Sequence, residues 1–160
     1  MRVAIVYATR YGSTRTVAEQ VAERVDGEVL LGDLSNRSGR QIAAGSEVVV
    51  IGSPVYSGRV PMPVRRFVAG ARDLLATKHV VLFMTSFYTG ARAEAQLADN
   101  FPAWIVAQSR SHHFVGGRIE MSRLRRLDSF VLRRIGMVSK DVDTISVSAI
   151  DELTVAINRL

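Results

Sequence analysis

The chain has 160 residues, of which 48% are hydrophobic and 22% charged, close to the average of globular proteins, which argues against extensive disorder. It contains no cysteine, so disulfides, thiolate-bound zinc and cysteine nucleophiles are excluded. No stretch approaches the ~20 apolar residues needed to cross a bilayer, and no signal peptide is visible. We therefore expect one domain over residues 1–160, cytoplasmic and either soluble or peripheral to the membrane.

The net charge of +6 is concentrated in one part of the chain. Residues 110–140 include eight basic and two acidic residues, whereas the two signs balance in the rest of the sequence. Such a cluster favours an anionic partner: a lipid surface, a carboxylate-rich ligand or nucleic acid. Because no nucleic-acid recognition motif accompanies the charge, a nucleic-acid partner is not expected.

The first half of the chain alternates two kinds of pattern. Apolar runs rich in β-branched residues predict strands buried on both faces of a parallel sheet, and apolar residues at helical spacing predict amphipathic helices. In chain order, the patterns predict a strand over 3–7, a helix over 14–25, a weaker strand over 28–31, at most a short helix within 35–45, a strand over 48–51 and a helix over 63–75.

The second half continues this alternation. It predicts a strand over 80–84, a helix over 91–107 that breaks at Asn100-Phe101-Pro102, a strand over 114–119 interrupted by Gly116-Gly117, a basic helix over 122–135 and a last helix over 148–160. The order indicates a doubly wound α/β fold, with a parallel five-stranded sheet and helices on both faces. Ligands of such folds bind beyond the carboxyl ends of the strands, so the loops after Tyr7, Ile51 and Met84 are the candidate sites.

The loop after the first strand is rich in hydroxyl groups and leads into a helix. Free backbone N–H groups and the helix dipole favour an anion there, so the loop predicts a phosphate site, with an ordinary helix cap as the alternative. The loop lacks the glycine patterns of dinucleotide and nucleoside-triphosphate sites. The candidate residues are Thr9, Arg10, Tyr11, Gly12, Ser13 and Thr14.

Two further loops combine aromatic residues with glycine. An aromatic ring can cover one face of a flat heterocycle, and a glycine lets a backbone group approach its edge, although packing of each ring on its own domain is the simpler alternative. The candidates in the second loop are Ser53, Pro54, Val55, Tyr56, Ser57 and Gly58. Those in the third loop are Ser86, Phe87, Tyr88, Thr89 and Gly90.

Together the three loops resemble those of the flavodoxin family over the whole chain. The pattern Thr9-x-x-Gly12-x-Thr14 is similar to the family's phosphate loop for flavin mononucleotide (FMN). The segments Gly52-Ser53-Pro54-x-Tyr56 and Ser86-Phe87-Tyr88-Thr89-Gly90 occupy the positions of its two isoalloxazine loops. The resemblance implies FMN as cofactor, held by the residues of the three loops, with either Phe87 or Tyr88 stacking on the ring.

The last third of the chain resembles one branch of that family. The segment 114–119, with its Gly-Gly-Arg sequence, and the basic helix from Leu124 are similar to the flavodoxin-type, quinone-dependent protoporphyrinogen oxidases. This resemblance implies oxidation of protoporphyrinogen IX, with electrons passed through FMN to a quinone. The resemblance identifies no side chain as a catalytic acid or base, and the sequence shows no cluster of residues that predicts a metal site.

The basic residues near the candidate site have several possible partners. Arg59, Arg118, Arg123 and Arg126 are candidates for contact with substrate carboxylates or with an anionic membrane surface, the latter through the segment Arg118–Arg134 on the inner face of the membrane. A helix with solvated arginines is the simplest interpretation. Two other functions remain open: an electron carrier that docks on an acidic partner, and a non-enzymatic basic binding module.

Overall fold

The structure, a computed structural model, describes residues 1–134 and 140–160. The strands are β1 (Arg2–Tyr7), β2 (Glu28–Asp33), β3 (Val48–Pro54), β4 (His79–Thr85), β5 (Ser111–Phe114), β6 (Arg118–Ile119) and β7 (Val142–Asp143). The helices are α1 (Ser13–Ala22), α2 (Ser38–Ala44), α3 (Met62–Gly70), α4 (Arg72–Leu75), α5 (Gly90–Asn100), α6 (Ala103–Gln108), α7 (Arg126–Arg134) and α8 (Val147–Asn158).

Five parallel strands form one sheet in the order β2-β1-β3-β4-β5, which confirms the predicted fold. Successive side chains of a strand point to opposite faces, and here both faces are buried. Ala4 and Val6 of β1 pack with helices α2 to α6 on one face, whereas Val3 and Ile5 pack with α1 and α8 on the other. This double burial explains why the strands are continuous apolar runs rather than alternating ones.

Two predicted helices are divided in the structure. The helix predicted over 63–75 is interrupted at Ala71, where the backbone leaves helical geometry with a ψ of 19°, so α3 and α4 are separate. The break predicted at residues 100–102 is observed between α5 and α6, where Phe101 is extended and proline follows it. At the end of the predicted basic helix, Ile135 lies outside the described residues.

The strand predicted over 114–119 is wrong as a single element. β5 spans Ser111–Phe114, and β6 leaves the main sheet to pair antiparallel with β7. The cause is Gly116, whose φ of +84° turns the chain. The basic helix also begins later than predicted, because a 3₁₀ turn over Met121–Arg123 precedes α7 and Leu124 is extended.

Residues 118–143, of which the structure describes 118–134 and 140–143, are inserted in the chain between the edge strand of the main sheet and the last helix. Its two ends meet: Thr144 N–H donates to Gly117 O over 2.8 Å, and Ser146 N–H donates to Val115 O over 3.0 Å. Gly116 is in close contact with the backbone of Thr144, where a Cβ atom would have no room. No helix among the described residues is long and apolar enough to span a membrane.

Replacing Gly116 by alanine is expected to lower the free energy of unfolding by about 3 kcal/mol, because left-handed backbone costs about 1–2 kcal/mol and the new Cβ also clashes with Thr144. Gly90→Ala is the matched control: its φ is +56° but no atom lies within 4 Å of a Cβ there. That variant should lose only about 1 kcal/mol. Urea unfolding measures both, and equal losses would contradict the assigned contact.

Candidate functional site

A cavity of about 430 Å³ lies where β1, β3 and β4 end. This volume falls in the usual range for small-molecule sites, about 300–1,000 Å³. All three predicted loops contribute to it, because the carboxyl ends of neighbouring parallel strands share one edge of the sheet. The predicted residues that line the cavity are Tyr11, Ser13, Pro54, Val55, Tyr56, Ser57, Gly58, Ser86, Phe87 and Tyr88.

The phosphate-type loop, residues 9–14, closes tightly onto the start of α1. Gly12 has a φ of +92°, and its N–H donates to Thr9 Oγ1 over 2.9 Å. Thr16 returns to the same turn by donating its N–H and its hydroxyl to Gly12 O. Among the described residues, none accepts a hydrogen bond from the N–H groups of Ser13, Thr14 and Arg15, as is usual for a first helical turn.

Several predicted cofactor residues do not line the cavity. Thr14 is fully buried, and its hydroxyl shares a 2.8 Å hydrogen bond with Thr85 Oγ1, which joins α1 to the end of β4. The buried Ser53 hydroxyl donates to Pro54 O over 2.8 Å. Both hydroxyls have hydrogen-bond partners within the protein, so they stabilise the loops and do not face the cavity. The others outside the lining are Thr9, Arg10, Gly12, Thr89 and Gly90.

Tyr56 is the anchor of the second loop. It pairs with Arg59 across a tight turn, and its hydroxyl accepts a 2.9 Å hydrogen bond from Arg10 N–H of the phosphate-type loop. The Arg10 guanidinium lies 4.8 Å from the centroid of the Tyr56 ring, so at most the opposite face is open to a ligand. Burial raises the pKa of the Tyr56 hydroxyl, which keeps this hydrogen-bonded group neutral.

The third loop presents two aromatic rings with different supports. The Arg92 guanidinium lies 4.2 Å from the centroid of the Tyr88 ring and covers one face of it. The Phe87 ring instead packs against Gly117, where a Cβ atom would lie 3.1 Å from the ring tip. Ser86 fixes the loop, because its hydroxyl donates to Gln96 Oε1 over 2.6 Å and accepts from Tyr88 N–H.

Asp128 joins the insert to the phosphate-type loop, a contact that the sequence did not predict. Its carboxylate pairs with Arg10 Nη1 at 2.9 Å and accepts a hydrogen bond from the Tyr11 hydroxyl. The Tyr11 hydroxyl also accepts a 3.3 Å bond from Arg125 N–H. Partial burial alone would raise the pKa of Asp128, but the bonds from Tyr11 and Arg10 outweigh it and hold that pKa below its ordinary value.

The insert supplies one wall of the cavity, and most of that wall was missed from the sequence. Glu120 and Asp128 are the two acidic residues of the basic segment 110–140, and both line the cavity. Their isolation among basic residues is the signal that could have found them. The other lining residues outside the predicted set are Thr85, Gln96, Gly117, Ile119 and Leu124.

The four candidate contact arginines are not brought together. Arg118 lines the cavity but pairs with Asp143 at 2.9 Å, and Arg123 pairs with Glu120 at 2.8 Å. Arg59 lies in a separate polar groove, which adjoins the cavity at Gly58. Arg126 is exposed at the start of α7.

No group of acidic, histidine or cysteine side chains among the described residues could hold a metal ion. The neighbouring histidines of β5 are engaged separately. His112 Nε2 lies 2.6 Å from Ser109 Oγ, and His113 Nε2 lies 2.9 Å from Ser111 Oγ. Burial lowers the pKa of His113, which favours its neutral form.

Solved structures of similar fold include flavodoxins and a longer oxidoreductase. The flavodoxin, WrbA-like protein from Agrobacterium tumefaciens superposes with a TM-score of 0.59 at 15% identity, over 99% of this chain and 93% of that one. Oxidised Flavodoxin 1 from Bacillus cereus has a TM-score of 0.55 at 14% identity, over 87% and 100%. Rubredoxin oxygen:oxidoreductase from Desulfovibrio gigas has a TM-score of 0.60 at 16% identity, over 98% of this chain but 34% of that one.

At these identities the structural matches support the fold alone. Comparison by sequence with curated proteins finds no match. A family model described as a flavodoxin domain, however, matches residues 4–145, which is most of the chain and includes all three loops of the cavity. The chain therefore belongs to the flavodoxin domain family.

Proposed function

We propose that the protein is an FMN-dependent oxidoreductase whose cofactor site is the cavity at the ends of β1, β3 and β4. The observation that carries the proposal is the convergence there of residues from all three predicted loops. Membership of the flavodoxin domain family supports FMN as the cofactor. The donors and aromatic rings around the cavity fit the two ends of that molecule.

The phosphate end fits the start of α1. The N–H groups of Ser13, Thr14 and Arg15 would donate to the phosphate oxygens, and the helix dipole favours a negative charge there. Ser13 lines the cavity and would add its hydroxyl as a further donor. Gly12 leaves the approach open, since no atom lies within 4 Å of the place where its Cβ would be.

The ring end fits between Tyr56 and Tyr88. Each tyrosine has an arginine over one face, at 4.8 Å for Arg10 and 4.2 Å for Arg92, and a T-shaped contact with Tyr11 at 5.8 Å further fixes the Tyr56 ring. Both tyrosines line the cavity, where a flat ligand would meet them. We therefore assign ring stacking to Tyr88 rather than Phe87, whose tip is packed on Gly117. These walls would orient the cofactor and exclude water from it.

For the substrate, we propose a reduced tetrapyrrole, with a quinone as the electron acceptor. Bound FMN would supply the redox chemistry, which here would be the transfer of electrons from the tetrapyrrole to the quinone. Ile119 and Leu124 give the insert an apolar lining suited to such molecules. Arg126, on the first turn of α7 two residues before the lining residue Asp128, would bind a propionate group.

An electron carrier that docks on an acidic protein is the second candidate. It is favoured by the exposed surface of α7, where Phe130 is 59% exposed beside Arg133 and Arg134. The same surface supports the proposal of peripheral contact with an anionic membrane on the cytoplasmic side, because each basic residue near such a leaflet adds about 1 kcal/mol. A purely basic binding module does not account for the cavity.

FMN titration, followed by flavin fluorescence, is expected to show saturable binding. Tyr88→Ala should weaken it about tenfold, because stacking of an aromatic ring on a flat base contributes about 1–3 kcal/mol. Tyr88→Phe keeps the ring and should bind within about twofold of the parent protein. Loss of affinity in both variants, or in neither, would contradict the assignment of Tyr88, and failure of the parent protein to bind FMN would contradict the function.

An anaerobic assay of the FMN-loaded protein with protoporphyrinogen IX and a menaquinone analogue is expected to give porphyrin fluorescence above the blank. Arg126→Gln should raise KM about fivefold and leave kcat unchanged, since a surface ion pair contributes up to about 1 kcal/mol. Arg66→Gln, at an exposed position of α3, is the control. Fluorescence equal to the blank, with FMN bound, would exclude the oxidase and leave the carrier.

Sedimentation with vesicles is expected to be stronger for phosphatidylserine-containing membranes than for neutral ones. The triple variant of α7, with Arg126, Arg133 and Arg134 changed to glutamine, should lose most of the binding, at about 1 kcal/mol per residue. A triple variant of equal charge at Arg65, Arg66 and Arg72 is the control. Equal losses in the two would show a general charge effect and no docking face on α7.

A further inference from the structure

We propose that Asp128 sets how strongly the cavity prefers a phosphorylated flavin over an unphosphorylated one, by competing with the flavin phosphate for Arg10. This inference rests on the proposed FMN site. It assigns a specificity role to a residue outside the three loops, on the first turn of α7.

The contact that carries the inference spans most of the chain. Arg10 Nη1 lies 2.9 Å from Asp128 Oδ2, and the Tyr11 hydroxyl donates to the same oxygen. Two consecutive residues of the phosphate-type loop therefore already hold an anionic group, which belongs to the protein itself. The Asp128 and Arg10 side chains are 29% and 35% exposed, so solvent screens the pair only in part.

Arg10 is the basic side chain of the phosphate-type loop that a flavin phosphate could attract. Arg15, the other basic residue near the start of α1, pairs with Glu19 one turn further along the helix at 2.8 Å. The Arg10 backbone donates to the Tyr56 hydroxyl and its guanidinium lies over the Tyr56 ring, which keeps the side chain close to the loop. Asp128 accepts from Arg10 Nη1 alone and is also stabilised by the charge of Arg125, so the competition is for the charge and position of the Arg10 guanidinium and not for its number of donors.

Ser13, at the start of α1, and Asp128 line the same cavity. A phosphate held by the first turn of α1 would therefore share the cavity with the Asp128 carboxylate, which contacts Arg10 and Tyr11 of the same loop, and like charges repel. Removing the carboxylate charge would end this repulsion and release Arg10 to the phosphate. A flavin without a phosphate carries no such charge, so its binding should not change.

The test compares FMN with riboflavin in fluorescence titrations at low ionic strength. Asp128→Asn should tighten FMN binding about fivefold, the upper range for a partly exposed ion pair, and leave riboflavin binding within about twofold. The asparagine can still accept the Tyr11 hydrogen bond, so the contact between α7 and the loop is kept. Asp128→Ser is the second variant, used should the first fail to fold.

Two further variants separate the mechanism from a general charge effect. Glu120→Gln removes a carboxylate that lines the same cavity but pairs with Arg123 rather than with the phosphate-type loop, so any gain for FMN over riboflavin should be well below that of Asp128→Asn. In an Arg10→Gln background, the gain from Asp128→Asn should be lost, since both residues act through one interaction.

Each outcome decides the inference. A selective gain for FMN that depends on Arg10 supports it. An unchanged or weaker affinity for FMN, a parallel change for both flavins, or an equal gain in Glu120→Gln overturns it and leaves the FMN site intact. Failure of the parent protein to bind either flavin overturns the proposed function together with this inference.

Discussion

The shared edge formed by the carboxyl ends of β1, β3 and β4 is the constraint on which the site depends. These strands are parallel and in register, so Tyr7 lies beside Gly52 and Pro54 lies beside Thr85. Three loops that are far apart in sequence therefore emerge side by side. The buried Thr14–Thr85 hydrogen bond then ties the first helix to the end of β4, where Thr85 lines the cavity.

The fold could be predicted because its strands are buried on both faces. Three continuous apolar runs, at 3–7, 48–51 and 80–84, predict strands. The structure has a strand at each of them, and each strand is slightly longer than the run. The loops of the cavity could also be predicted, because in a parallel sheet the ligand-binding loops follow the carboxyl ends of the strands. The strand at 114–119 was wrong only as a single element: the glycines were recognised as an interruption, but apolar patterning could not show that left-handed Gly116 redirects the chain out of the main sheet.

The wall formed by the insert could not be predicted in this way. Asp128 reaches Arg10 across 118 residues of sequence; its isolation among basic residues marks it as unusual but does not identify Arg10 as its partner. The same limit applies to the arginines. Net charge identified a basic segment, yet Arg118 and Arg123 are each paired with a carboxylate, so formal charge overstates what is available to a ligand. The ion pairs formed in the folded chain decide which basic side chains remain available to a ligand.

The two ends of residues 118–143 are joined by the hydrogen bond between Thr144 N–H and Gly117 O, 2.8 Å long. A short turn could therefore bridge Gly117 and Thr144 without disturbing any strand of the main sheet. The segment is in this sense a module: its strands β6 and β7 pair only with each other, so a change in its length would leave the pairing of the five parallel strands as it is. Because the same module lines the cavity and holds Arg10 and Tyr11 through Asp128, a change in it would reshape the ligand site while the architecture that supports the site stays constant.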